Sequence, residues 1–356
     1  MDVGFDRAGF EVVWANDLDE QACRTYERNQ RGPIACGPVE CHVARLSRFE
    51  GIEMVFGGPP CQGFSVAGKM EASDERSDLI WEFFKVVGVV RPKMFVMENV
   101  KALATLQKWS AVRSKIFSTC ARLGYEYYLV ILNASDYGVP QARERMFLYG
   151  RRGGISPTKV DEVLRRRRQR PRSVREILSE LGRAGSVGNA RTCNARITIA
   201  ENPVLRKSPY AGMLFNGQGR PLNPDGYSST LHASMGGNKT PIIDERHVFE
   251  DGPSWVEDYH AHLMAGGKPL PFDGAPAYLR RLTVDEAIRL QTFPSDYQFV
   301  GGQSTVFRQV GNAVPCDLAE VVGAVALELL ADSETAVREQ SMVPRAEPGT
   351  QIRLPV

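Results

Sequence analysis

The 356-residue chain reads as an α/β protein: a mostly parallel sheet covered by helices on both faces, with a smaller, loop-rich domain set into it. Over residues 1–150, short apolar runs alternate with longer helical stretches, as in parallel strands joined by crossover helices. Over 151–279 that periodicity gives way to Gly, Pro, Asn and Ser. Charge divides at the same boundary. Although the whole chain carries only +2, residues 151–279 hold 19 Lys and Arg against 13 Asp and Glu.

The strands are "EVVWAND" (11–17), "EMVFGG" (53–58), "MFVMENV" (94–100), "YLVILNASDYGV" (128–139) and "MFLYGRR" (146–152). Each is rich in β-branched or aromatic residues and bounded by turn formers. "SDLIWEFFKVVGVVR" (77–91) is the clearest intervening helix. "FNGQGRPLNPDGYSS" in the second segment reads as turns. A helix returns at "LTVDEAIRLQTF" (282–293), where Thr283 as N-cap and Glu286 three residues on predict a capping box. A last helix is expected over 315–330, followed by a polar, disordered tail over 331–356. The division is therefore 1–150, a second domain over 151–279, a return to the first domain over 280–330, and the tail.

Hydrophobic and charged contents of 43% and 24% exclude a disordered or fibrous chain. No apolar run approaches the roughly 20 residues of a membrane span, and "MDVGFDRAGF" lacks the basic flank and apolar run of a signal peptide. A cytoplasmic monomer is expected. Seven irregularly spaced cysteines do not make a disulfide framework. Cys36, Cys41 and His42 have no second ligand pair at zinc spacing, so no metal is expected. Six cysteines are read as buried thiols. "RRRRQRPR" (165–172) is either a solvated helix face or a phosphate contact.

The seventh cysteine stands apart. In "GGPPCQGFS" (57–65) glycines let the backbone turn sharply and two prolines stiffen it, so Cys61 is held out at the carboxyl end of a strand. Ligands bind at that edge of an α/β sheet. The next strand ends "MENV", placing Glu98 and Asn99 at the same edge. "PQARER" then brings Arg143 and Arg145, two apart and on one side if extended. A thiol benefits from nearby positive charge that lowers its pKa, and a carboxyl can hold or protonate a ring nitrogen.

On these motifs, together with "RRLTVDEAIRLQTFP" (280–294) and "QVGNAVP" (309–315), the chain resembles the DNA (cytosine-5)-methyltransferases of bacterial restriction-modification systems over about residues 3–328. The resemblance implies a Rossmann-like, S-adenosylmethionine-dependent methyltransferase fold with a DNA target-recognition domain over 151–279. It implies that Cys61 attacks C6 of a flipped-out cytosine, Glu98 contacts N3 and the exocyclic amine, and Arg145, with Arg143 beside it, contacts O2. Gln62, Ser65 and Gln141 would contact DNA, as would Thr230 and Leu231 in "SSTLHASMGGN" (228–238). Double-stranded DNA and a cognate restriction endonuclease are the implied partners.

The cofactor side departs from the family. The family's first strand and Phe-x-Gly-x-Gly-Gly loop have no counterpart before "MDVGFDRAGFEVVWAND". A start codon taken too far downstream, a true truncation and a split enzyme completed by another polypeptide are the three explanations, the first being preferred. Asp17 would accept the ribose hydroxyls of S-adenosylmethionine, with Leu18 beside it. Glu40 is the acidic candidate for the adenine amine, and Pro60, Leu79, Asn312 and Ala313 are further cofactor neighbours. A tRNA cytosine-5 methyltransferase and an inactive or split DNA-binding relative are the alternatives. Methyl transfer to duplex DNA against tRNA separates the former; salt-dependent binding without transfer marks the latter.

Overall fold

The computed structural model describes residues 1–60, 78–250 and 252–342. Helix α1 (Asp2–Ala8) closes at Gly9, whose φ of 108° is the left-handed conformation that ends helices. Strand β1 (Ala15–Asp17) leads to α2 (Glu20–Asn29), where the Asp19 carboxylate accepts from the amides of Gln21 and Ala22. Strand β2 (Ile34–Cys36) lies parallel to β1. It is too short to show periodicity, and the sequence pattern did not reveal it. Two 3-10 turns, Val39–Cys41 and Val43–Phe49, precede β3 (Met54–Gly57). Then follow α3 (Asp78–Val90), β4 (Met94–Val100), α4 (Lys101–Thr105), α5 (Ser110–Arg122), β5 (Glu126–Asn133) and β6 (Glu144–Arg151).

Four strands form one sheet in the order β3-β4-β6-β5, while β1 and β2 form a separate pair. β3 and β4 are parallel, but β6 is antiparallel to both its neighbours. The sheet is thus mixed rather than mostly parallel. Residues 134–143 between β5 and β6 are fewer than the dozen or so that a parallel crossover needs, so the pair closes as a hairpin.

Alternation along the central strands builds two core layers. Val96, Phe147 and Tyr149 belong to one cluster with Phe5, Leu318, Val322 and Val325. Phe95, Met97 and Leu148 belong to the other, with Ile80, Phe84, Val87, Ile116 and Cys120. Phe95 is opposite Gly150 in the β4–β6 register. A Cβ on Gly150 would come within 2.1 Å of the Phe95 ring, so this position needs glycine for space.

The second segment is less irregular than its composition suggests. It contains α6 (Pro157–Arg166), α7 (Val174–Leu181), β7 (Ile199–Val204), β8 (Met213–Phe215), β9 (Ile242–Asp244), α8 (Glu245–Phe249), α9 (Trp255–Met264) and β10 (Leu279–Arg281). Ser156, Ser173 and Ser254 cap α6, α7 and α9, and Ser173 with Glu176 makes a full capping box. The predicted box at Thr283 and Glu286 opens α10 (Val284–Leu290) with both bonds formed. There Glu286 is fully buried and is held by Arg280 and Asn189. Helices α11 (Gln303–Asn312) and α12 (Cys316–Met342) complete the chain. The helical run continues past Leu330, through a segment of good helix formers such as Ala, Glu, Arg and Gln. Residues 343–356 lie outside the described residues.

One expectation about side chains changes, and one open alternative narrows. Cys23, Cys120 and Cys316 are buried, but Cys36 and Cys41 are exposed and Cys193 is intermediate, because Cys36 ends a strand at the surface and Cys41 sits on a 3-10 turn. In the arginine run, Arg166, Arg168, Arg170 and Arg172 pair with Glu328, Asp136, Glu176 and Glu180. Such pairs are those of a solvated face. Among the described residues no group of three or more His, Cys, Asp or Glu is placed to hold a metal, and no helix is long and apolar enough to cross a membrane.

Candidate active site

The parallel register sets Gly57 opposite Met97, so Gly58, the first residue past β3, lies level with Glu98 near the carboxyl end of β4. A Cβ on Gly58 would lie 2.9 Å from Glu98 Oε2; glycine lets the turn pass this close to the carboxyl. Asn99, almost wholly buried, donates from Nδ2 to the Pro59 carbonyl at 3.2 Å, while its Oδ1 accepts from the Val100 amide. The Pro-Pro turn is thereby pinned to the end of β4. Pro60 is exposed at the tip of the described turn. Cys61, Gln62 and Ser65 lie outside the described residues.

β6 supplies the cation. Arg145 Nε sits 2.9 Å from Glu98 Oε1, with side chains only 16% and 13% exposed. Burial pushes the Glu98 carboxyl above the ordinary carboxylate range, against the pull of Arg145 and Arg143. A carboxyl held between these influences can accept from an amine and can also donate to a ring nitrogen.

Arg143 does something different from Arg145, which corrects its expected place beside the base. Its guanidinium is buried and donates from Nη1 to the Leu231 carbonyl at 3.0 Å and from Nη2 to the Gly311 carbonyl at 2.9 Å. Gly311 lies in the last turn of α11, where carbonyls lack helical partners and a cation is favoured. Gln141 is fully buried rather than offered to DNA: its Nε2 donates to Gln291 Oε1 at 2.5 Å, and its Oε1 accepts from the Leu231 amide. Leu231 is likewise a core residue at 1% exposure. The Thr230 hydroxyl donates to the Ala142 carbonyl. Gln291 completes the knot by donating to the carbonyls of Val310 and Ala313. The segments around 141–143, 228–231, 291 and 310–313 are thus tied into one buried hub supporting Arg145.

Sequence reasoning missed the charged rim. Partial burial, with Arg143, Arg145, Arg220 and Lys239, pulls the imidazole of His232 below its ordinary pKa. Arg220 and Lys239 are exposed. The available signal was adjacency, since His232 directly follows the Thr-Leu pair.

On the other side, Asn16 Nδ2 donates to the carbonyls of Ala35 and Gly37 and knits the carboxyl ends of β1 and β2 together. Asp17 stands at that end, its Oδ1 accepting from the Asp19 amide, and the Leu18 side chain is 68% exposed. Glu40 is exposed in the 3-10 turn leaving β2. Arg308 of α11 pairs with Asp19, which draws α11, with exposed Asn312 and half-buried Ala313 at its end, toward the Asp17 turn. Leu79 is half-buried in the first turn of α3.

Comparison with known proteins gives the family. Residues 1–328 match the model of C-5 cytosine-specific DNA methylases. The chain belongs to this family. Among curated members it is 29% identical to the Type II methyltransferase M.FnuDI of Fusobacterium nucleatum, covering 95% of this chain and 94% of that one. It is 30% identical to the Type II methyltransferase M1.HphI of Haemophilus parahaemolyticus, covering 92% and 83%. Among solved structures, the S. pombe Dnmt2 methyltransferase superposes with a TM-score of 0.65 at 19% identity, over 94% of this chain and 95% of that one; that likeness supports the α/β methyltransferase fold. Membership in this methylase family implies S-adenosylmethionine as methyl donor. The residues present suit it: the Asp17 carboxylate lies at a strand end, and the exposed Leu18 beside it offers apolar surface of the kind a purine covers.

Proposed function

We propose that this DNA methylase methylates C5 of cytosine within a specific double-stranded DNA sequence, as the modification half of a restriction-modification system. The observation that carries the reading is the Glu98–Arg145 pair, 2.9 Å apart and largely shielded from water, beside the turn that leads into Cys61. Cys61 Sγ bonds to C6 of a cytosine turned out of the duplex, and the ring electrons shift toward C5. Glu98 holds N3 and the exocyclic amine as charge develops, and Arg145 both orients Glu98 and contacts O2. S-adenosylmethionine supplies the methyl group that C5 accepts. Loss of the C5 proton then returns electrons to the ring and expels Cys61. Asp17, Leu18, Glu40, Pro60, Leu79, Asn312 and Ala313 are the residues proposed to hold the donor.

The basic segment 151–279 is proposed to read the DNA. Arg220 and Lys239 would face phosphates near the turned-out base, since exposed cations position the duplex while base-edge contacts specify it. Gln62 and Ser65 would hold the opened duplex. A monomer acting alongside a cognate endonuclease completes the proposal.

The test is Cys61→Ala assayed on duplex DNA for methyl transfer and for binding. Transfer is expected to vanish while binding stays within about threefold, because the thiol acts on the base and not on the phosphates that dominate affinity. Appreciable transfer by the variant would remove Cys61 as nucleophile.

A further inference from the structure

The carboxyl end of the β1–β2 pair holds two thiols that the proposed reaction does not use. Parallel pairing sets Asp17 opposite Cys36. The Asp17 carbonyl accepts from the Gly37 amide at 2.9 Å and also from Cys23 Sγ at 3.4 Å, so the sulfur carried by α2 lies against the 36–37 peptide. There the Cys23 and Cys36 side chains share a hydrogen bond. Both are held in place. Cys23 sits in the first turns of α2, its amide donating to the carbonyl of the capping Asp19, and Asn16 grips the carbonyls of Ala35 and Gly37 on either side of Cys36.

The two sulfurs differ in access. Cys23 is 3% exposed, whereas Cys36 is open to solvent. Burial, with Cys36 alongside, pushes the Cys23 thiol up to about 12. A solvent-facing thiol backed by a buried one can capture an incoming disulfide and then release it, since exchange runs through a mixed disulfide. We propose that Cys23 and Cys36 form a thiol–disulfide exchange site whose co-reactant is a low-molecular-weight disulfide. Cys36 Sγ, as the thiolate, bonds to one sulfur of that disulfide and expels the other half, which takes up a proton. Cys23 Sγ, having lost its proton to solvent, then bonds to Cys36 Sγ and expels the second half as a thiol. The protein thiols are oxidised to one disulfide and the small disulfide is reduced to its thiols, so the exchange reverses when thiol is in excess. The bond formed ties α2 to β2 at the Asp17 turn.

The probe is oxidised glutathione, added to the reduced full chain before remaining thiols are alkylated and the protein is mapped with trypsin. The bond would join peptides 8–24 and 32–45. Because the second peptide also contains Cys41, the variants Cys36→Ser and Cys41→Ser assign the sulfur. The joined peptides are expected in the parent and in Cys41→Ser, should fall at least about tenfold in Cys36→Ser, and should separate on adding dithiothreitol. Closure from the mixed disulfide should quicken by about tenfold for each pH unit through the neutral range, because attack needs the Cys23 thiolate. A bond that survives Cys36→Ser, or one that closes between Cys36 and Cys41, would overturn the proposal. So would glutathione that stays on Cys36 without closure, or that reacts only at other cysteines. The readout involves no methyl transfer, so the exchange site and the proposed reaction stand or fall separately.

Discussion

Replacing Arg143 by Met tests whether the first arginine of "PQARER" acts as a structural tie. Met approximates the length of the side chain but removes donors to the carbonyls of Leu231 and Gly311, at 3.0 and 2.9 Å. Each stranded carbonyl costs about 1 to 3 kcal/mol in a buried setting. Against this, Met lifts the cost of burying a cation whose Nε has no partner. The net expectation is a loss of about 2 to 4 kcal/mol. Urea unfolding would show it as a lower midpoint with an unchanged slope. Arg143→Lys, able to restore one bond but not the fork, should fall between. Exposed Arg165 supplies the reference substitution, Arg165→Met. If Arg143→Met cost no more than that reference, the guanidinium would not be holding the recognition segment to α11.

Gly58→Ala would place a methyl 2.9 Å from Glu98 Oε2 and push the carboxyl off Arg145. Loss of a charge-assisted bond worth about 1.5 to 3 kcal/mol should lower kcat/KM roughly 10- to 150-fold with little change in Tm, and an unchanged kcat/KM would refute the contact. The buried Glu98 carboxyl has its pKa raised, so the native state holds this proton more tightly than the unfolded chain does. Its contribution favours the fold below the unfolded carboxyl value and is lost as pH rises through the raised native one. Stability of the parent relative to Glu98→Gln should therefore fall with pH across that window, whereas a constant difference would argue against the shift. Gly150→Ala drives a Cβ to 2.1 Å from the Phe95 ring and should cost about 1 to 3 kcal/mol or more. Adding Phe95→Leu should recover part of it, and additive losses on chemical denaturation would exclude the clash.

What the sequence determined by itself is local. The capping box at Thr283 and Glu286 was legible because both bonds form within three residues of one another. The meeting of Glu98 with the Gly-Pro-Pro turn was legible because each follows an apolar strand, and consecutive parallel strands end at one edge. The same local logic would have found α7, whose Ser173 and Glu176 carry the identical signal. Tertiary structure decided the rest. Arg143 and Gln141 resemble site residues in the chain, yet their hydrogen bonds reach Leu231, Gln291 and Gly311, between 88 and 168 residues away. No local pattern separates an arginine that caps a distant helix from one that faces a substrate. The division of β1–β6 into two sheets is likewise invisible in their sequences, because a strand's pattern records which faces are buried and not which neighbour completes its hydrogen bonds.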